Sequence, residues 1–289
     1  MVGMRFESPD SVDAAVALLA NAGAGARVLA GGTDLLVQLR ADIVEPKLVV
    51  DIKRIAETRK VTEEAGGFRV GAAVAGAELS EHPKFEHVWP GVMYAFDLIG
   101  STQIQGRCTL GGNLCNASPA ADSVPAMVAV GAIARIAGPG GTRDVPVEEI
   151  PTGPAKTSLK PGEFVVSIFF PKKPPHTGDA YLRFIPRTEM DIAVVGSGVC
   201  LTLDGSGTCT AAKICLGAVA PTVILVPEAA KALIGTKVDE AAIAAAGQAA
   251  SNAAKPISDK RGTIEYRRKV AGVLTRRALT QALERAKEN

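Results

Sequence analysis

Two short stretches of this chain put adjacent glycines beside an apolar run, and each limits what the surrounding backbone can become. In Val28-Leu29-Ala30-Gly31-Gly32-Thr33-Asp34-Leu35 a strand-like run enters a diglycine and leaves it as a helix-like one. In Thr109-Leu110-Gly111-Gly112-Asn113 a second diglycine lies between a hydroxyl and an amide side chain. Two missing Cβ atoms let backbone N–H groups come close to an anion, and a helix that begins just after them adds the positive end of its dipole. Two such loops acting together would clasp a pyrophosphate without a lysine. Taken alone, a diglycine after a strand is an ordinary turn.

Competing phosphate fingerprints are missing. No G-x-G-x-x-G follows the first strand, Gly196-Ser197-Gly198-Val199-Cys200-Leu201 lacks the third glycine, and no G-x-x-x-x-G-K-[ST] occurs. A Rossmann or P-loop protein is therefore disfavoured. Net charge is +2, from 32 basic and 30 acidic side chains, which supplies no strong field for nucleic acid. Eight Phe, three Tyr and one Trp are too few to suggest a base-stacking surface. The three histidines, His82, His87 and His176, have no metal-ligand spacing, and no Ser-His-Asp, Cys-His or paired-carboxylate constellation stands out.

Cysteine usage bears on the compartment. Cys108, Cys115, Cys200, Cys209 and Cys215 are odd in number and form no Cys-x-x-Cys pair, which fits reduced thiols in a cytoplasmic protein and gives no zinc or iron–sulfur signature. Residues 1–10 contain Arg5, Glu7 and Asp10 and lack the apolar core of a signal peptide. No membrane span is expected: the apolar stretch 126–136 is short and broken by Gly131 and Arg135.

The 289 residues read as an α+β chain in three sections. Residues 1–55 begin βαβ-like: a helix at 12–19 capped by Ser8-Pro9, a strand at 27–30, a short helix at 34–40 and a buried strand at 48–51. Residues 56–175 carry a strand at 68–74, a helix at 89–99, a glycine- and asparagine-rich loop and a helix at 122–130 with Asp122 as its cap. A hairpin at 133–145 and a β-rich run at 164–170 follow. Residues 171–179, with three prolines, read as a linker. Residues 176–289 hold a hairpin of two apolar strands, 192–203 and 208–218, around Asp204-Gly205-Ser206-Gly207, then helices at 227–234, 239–253 and 262–287. On the last helix Tyr266, Val270, Val273 and Leu274 mark one apolar face, and Leu279 and Leu283 a second.

The glycine segments also carry a resemblance. Ala30-Gly31-Gly32-Thr33-Asp34-Leu35-Leu36 resembles the first flavin loop of the FAD-binding (medium) subunits of molybdenum hydroxylases, the family of carbon monoxide dehydrogenase and xanthine dehydrogenase. Thr109-Leu110-Gly111-Gly112-Asn113-Leu114, continued by Asn116-Ala117-Ser118-Pro119-Ala120-Ala121-Asp122, resembles the second loop. Arg187-Thr188-Glu189-Met190-Asp191-Ile192-Ala193 looks like the motif that opens their C-terminal domain. The three motifs stand in family order and span nearly the whole sequence.

The resemblance implies a fold of two parts: a FAD-binding domain of the vanillyl-alcohol-oxidase-like type in two subdomains, then a small domain of sheet plus helices. It implies non-covalent FAD held at Val28, Leu29, Ala30, Gly31, Gly32, Thr33, Asp34 and Leu35, and at Thr109, Leu110, Gly111, Gly112 and Asn113. Asp122 matches an acidic position near the ribose–adenine half, although a plain helix cap accounts for it equally well. Leu159 falls at an apolar position that packs near the isoalloxazine, and Ile99 near a site that is aromatic in xanthine dehydrogenase. Arg183 stands where a lysine close to the flavin ring is expected, with a surface salt bridge as the simpler account. The resemblance further implies an oxidoreductase subunit in a heterohexamer with a large molybdopterin subunit and a small [2Fe–2S] subunit, passing electrons from the clusters to an external acceptor. Molybdopterin and clusters would then sit on the partners alone, and substrate choice with the molybdenum subunit. A stand-alone FAD oxidoreductase of the same binding fold and a non-catalytic nucleotide-binding module remain as alternatives.

Overall fold

A computed structural model describes residues 3–289 of the chain. Its first sheet is parallel, with Leu48–Asp51 between Arg5–Glu7 and Ala26–Leu29. Leu48, Val49 and Val50 are buried, as an apolar run at the centre of a parallel sheet should be. The outer strand Arg5–Glu7 was not legible, because its largely exposed residues give no apolar alternation. Helix Val12–Ala22 crosses over this sheet. Its cap is Ser11, whose hydroxyl accepts the Ala14 N–H at 3.3 Å, and not Ser8-Pro9, which lies upstream of the first turn.

The second sheet is antiparallel, in the order Val61–Glu64, Gly67–Gly71, Phe164–Phe170, Ile133–Gly138, Gly141–Pro146. The β-rich run is its central strand, which explains why nearly all of its residues are buried. Helices Pro90–Asp97, Leu110–Asn116 and Ser123–Ala129 cover this body and share one apolar core with the first sheet. The segment expected to be a loop around the second diglycine is therefore partly helix: Gly111 and Gly112 lie in the first turn of Leu110–Asn116. Local composition disfavours a helix there; Thr109 offsets this, accepting the Gly112 N–H through Oγ1 at 2.9 Å.

The third sheet, Thr177–Phe184, Val195–Leu203, Cys209–Gly217, Ile224–Leu225, has its own core and is backed by helices Pro227–Lys231, Glu240–Ala253 and Ile264–Glu288. The buried face of the last helix runs through Ala271, Gly272, Ala278, Ala282 and Ala286 along with Leu274 and Leu279, whereas Tyr266 is 42% exposed. Small residues win because neighbours come very close. A Cβ on Gly178 would lie 2.0 Å from the Ala282 carbonyl oxygen, and one on Gly272 would lie 2.8 Å from that of Gly247. This helix does meet protein on two sides, the sheet and helix Glu240–Ala253, both within the chain.

The proline-rich stretch behaves as a linker only over residues 171–176, since Thr177–Phe184 is already strand. It is pinned in place: the Trp89 indole N–H donates to the Pro171 carbonyl at 3.2 Å. Two contacts lock the third sheet to the body. A Cβ on Gly198 would lie 2.4 Å from the Pro125 carbonyl oxygen, so helix Ser123–Ala129 rests directly on the sheet. Asp179 reaches from its strand to the start of helix Pro90–Asp97, where its Oδ2 accepts the Val92 N–H at 3.2 Å. Burial pushes that carboxyl up to about 6, and its Oδ1 has no hydrogen-bond partner. Among the described residues no helix is long and apolar enough to cross a membrane.

Candidate functional site

The two glycine segments, whose diglycines are 80 residues apart on the chain, face one cavity of about 590 Å³, within the usual range for a ligand site. Three stretches form most of its wall: the first glycine segment with the helix that follows it, the second glycine helix, and residues 155–165 leading into the central strand of the second sheet.

Contact and conformation require glycine at three of these positions. At Gly31 it is contact: an added Cβ would fall 1.8 Å from the Arg107 carbonyl oxygen, so the first segment is pressed against the lead-in to the second. At Gly32 it is conformation, with φ of +82° in the left-handed region. At Gly111 it is contact again, since a Cβ would lie 2.6 Å from the Ala72 Cβ. The diglycines thus bring two backbones together as well as baring amides.

The amides are bared in the first segment. The N–H groups of Gly31, Gly32, Thr33 and Asp34 have no backbone acceptor among the described residues, although Gly32 accepts the Leu36 N–H through its carbonyl at 3.0 Å. Successive unpaired N–H groups around a bend form an anion-binding concavity. In the second segment the Gly112 N–H is taken by Thr109 Oγ1. Asn113 is fixed from behind, its Oδ1 accepting from Ser123 Oγ at 2.7 Å.

Val28, Ala30, Gly31, Gly32, Thr33, Asp34, Leu35, Ile99, Thr109, Gly111, Gly112, Asn113 and Leu159 all line the cavity. Leu29 and Leu110 do not. The pleat alternates Leu29 away from Val28 into a small core with Leu39 and Val49, and Leu110 is 1% exposed in the main core. Asp122 and Arg183 are also absent from this wall, and they meet each other. Arg183 Nη1 stands 2.6 Å from Asp122 Oδ2, and the Tyr181 hydroxyl donates to Asp122 Oδ1 at 2.7 Å.

That geometry corrects two readings. Asp122 makes no side-chain cap bond to its helix, because its carboxylate is drawn to the strand opposite. Arg183 is in no surface salt bridge, as its side chain is 5% exposed. Burial pushes the Asp122 carboxyl up to about 6 against the pull of Arg183, and the Arg183 Nε is left without a partner.

Other wall residues were missed. Gln38 and Asn116 stand one helical turn beyond Asp34 and Gly112, and Gln38 Nε2 donates to Asn116 Oδ1 at 3.0 Å, tying the two segments across 78 residues. Their i+4 spacing from motif residues was the available signal. Ala155 and Lys160 had none, because only the tertiary fold brings that loop to the cavity.

Two acids stand on the wall, Asp34 and Glu163. Burial raises the Asp34 carboxyl from its ordinary value. Glu163 is neutralised by a paired Arg143 at 2.8 Å. Cys108 and Cys115, on the same wall, are pushed up by burial to about 12 and stay thiols at neutral pH. A wall of free amides, missing Cβ atoms and protonated thiols fits the pyrophosphate of a dinucleotide.

Residues 2–173 match the family described as the FAD binding domain in molybdopterin dehydrogenase, and residues 180–282 the CO dehydrogenase flavoprotein C-terminal domain. The chain belongs to the FAD-binding subunits of the molybdenum hydroxylase family. It is 35% identical to the carbon monoxide dehydrogenase medium chain of Afipia carboxidovorans, over 98% of this chain and 97% of that one. It is 32% identical to a putative xanthine dehydrogenase FAD-binding subunit of Escherichia coli, over 90% of each chain. The fold agrees with these matches. A chain of reconstituted CO dehydrogenase from Oligotropha carboxidovorans superposes with a TM-score of 0.93 at 34% identity, covering 98% of both chains. A chain of quinoline 2-oxidoreductase from Pseudomonas putida does so with a TM-score of 0.90 at 29% identity, again covering 98% of both. The two-part FAD-binding fold implied by the sequence motifs is the fold of this chain.

Proposed function

We propose that this chain is the FAD-carrying electron-transfer subunit of a multi-subunit molybdenum-containing dehydrogenase or hydroxylase. Its partners are a large subunit that holds molybdopterin and a small subunit that holds [2Fe–2S] clusters, assembled as a heterohexamer in the cytoplasm. The observation that carries the reading is the convergence of both glycine segments, with four unpaired N–H groups, on one cavity. Similarity along almost the full length to subunits of such enzymes supports the partnership. Free thiols at all five cysteines are consistent with a reducing compartment.

When bound, FAD supplies the electron-carrying chemistry, and the protein supplies binding, orientation and electrostatics. The residues of this chain divide that work. The N–H groups of Gly31, Gly32, Thr33 and Asp34 hold the pyrophosphate by backbone donation, which explains a phosphate site on a chain with so small a net charge. Val28, Leu35, Ile99 and Leu159 supply apolar wall, and the Gln38–Asn116 hydrogen bond sets the distance between the two segments. No residue need move a proton, in keeping with the lack of an acid–base constellation.

Purification of the tagged full chain from its own cells tests the assignment. The expected result is a complex that contains flavin, one large molybdopterin-bearing chain and one small chain with the absorption of [2Fe–2S] clusters. A chain that purifies without partners and turns over substrate with its own flavin would instead make it a stand-alone oxidoreductase.

A further inference from the structure

Lys53 lies behind the first glycine segment, outside the wall of the cavity. Strand Leu48–Asp51 pairs in parallel with Ala26–Leu29 so that Asp51 is opposite Leu29. The chain then turns through Ile52–Arg54, which brings Lys53 beside the point where the other strand enters its diglycine. Asp51 folds the lysine back on itself: its Oδ1 accepts from the Lys53 backbone N–H at 3.0 Å and from Nζ at 2.7 Å. From that tether Nζ donates to the Ala30 carbonyl oxygen at 3.0 Å. The two side chains are 26% and 14% exposed, so the arrangement is shielded from solvent.

The consequence follows from peptide geometry. The bond between Ala30 and Gly31 is trans, so the Ala30 carbonyl and the Gly31 N–H point in opposite directions. With the carbonyl held toward Lys53, away from the cavity, the N–H is held toward it. The far end of the peptide cannot relax, because Gly31 is pressed against the Arg107 carbonyl. We propose that Lys53 is the positioning residue of the phosphate-facing loop: tethered by Asp51, it fixes the Ala30–Gly31 peptide so that its N–H is presented to a pyrophosphate. The inference rests on the FAD reading above and adds to it a residue with no place on the cavity wall. A charged donor on a carbonyl is among the stronger hydrogen bonds, and the ammonium also sets a positive charge behind the loop.

The test compares ligands with and without the pyrophosphate on the flavin-free full chain. Wild type is expected to bind FAD, and ADP more tightly than adenosine. Lys53→Met is expected to weaken ADP by about tenfold while adenosine changes less than about twofold, and Lys53→Arg, which keeps a cationic donor, to recover most of the loss. Asp51→Asn loosens the tether with Lys53 still present, and is expected to give the same selective loss in smaller degree, so the inference stays testable if Lys53→Met does not fold. Unchanged ADP binding in both variants overturns it, as does an equal loss for ADP and adenosine. If wild type binds neither FAD nor ADP, the reading of the cavity fails first and this inference with it.

Discussion

The cavity and the seam between the second and third sheets handle polarity in opposite ways. The cavity presents backbone N–H groups, an asparagine, a glutamine and thiols held protonated; its one tightly neutralised acid, Glu163, is paired with Arg143. The seam buries ionisable side chains and meets most of them with a specific partner. Arg183 lies against Asp122, Tyr181 against the same carboxylate, and Asp179 against the start of helix Pro90–Asp97, while Arg285 donates to the Asp179 carbonyl at 2.6 Å. A site meant for a dianionic bridge must keep unpaired donors available. A joint meant to stay shut must leave few unpaired, because an isolated buried charge is costly. The chain uses amides where a ligand is to be added and ion pairs where only protein is to meet.

The largest effect is expected from breaking the seam. Arg183→Met leaves Asp122 buried without its cation and should lower unfolding free energy by about 3–5 kcal/mol, read by denaturant titration. A loss below about 1 kcal/mol would mean that the pair behaves as a surface bridge, and the contrast with the cavity would weaken.

Next comes the pH dependence of the same joint. The Asp179 carboxyl sits near 6 in the folded chain, above its unfolded value, so the unfolded state gives up its proton first as pH rises. Stability should therefore fall between roughly pH 4 and 6, by up to about 3 kcal/mol, and level off above. In Asp179→Asn that slope should be reduced, with the remainder coming from Asp122, whose carboxyl burial also pushes up to about 6. A wild type and variant with parallel pH profiles would show that Asp179 is as free to ionise as an exposed acid.

A smaller effect, visible in binding, is expected at the cavity. Gly31→Ala must push the two glycine segments apart, at a cost of about 1–3 kcal/mol if the strain is released by opening the cavity. FAD affinity should fall about ten- to hundredfold with little change in the urea dependence of unfolding. Loss of stability without loss of affinity would assign Gly31 to the core instead.

The same contrast marks what could be read before the fold was known. Cavity residues that come from the two motifs were legible, because free amides next to a helix start need glycine at fixed positions, and helical spacing would have added Gln38 and Asn116. Leu29 and Leu110 lie off the cavity wall, since a motif names neighbours along the chain while the pleat and the helix turn alternate ones inward. Asp122 and Arg183 were legible as residue types and not as partners: an ion pair across 61 residues has no local signature. The last helix teaches the same lesson. Its large apolar residues suggested the buried face, but close approach to Gly178 and Gly247 selected small residues, Ala282 and Gly272. The short strand Arg5–Glu7 and residues 155–163 leave no pattern because their surroundings, not their own sequences, define them.

Equilibrium titration of the flavin-free full chain with FAD, alone and in competition, bears most directly on the claim that the paired glycine segments hold a dinucleotide through its pyrophosphate. The account predicts saturable binding of one FAD per chain, displaced by ADP and not by FMN, which lacks the pyrophosphate bridge. Absence of saturable FAD binding, or displacement by FMN as readily as by ADP, would contradict it.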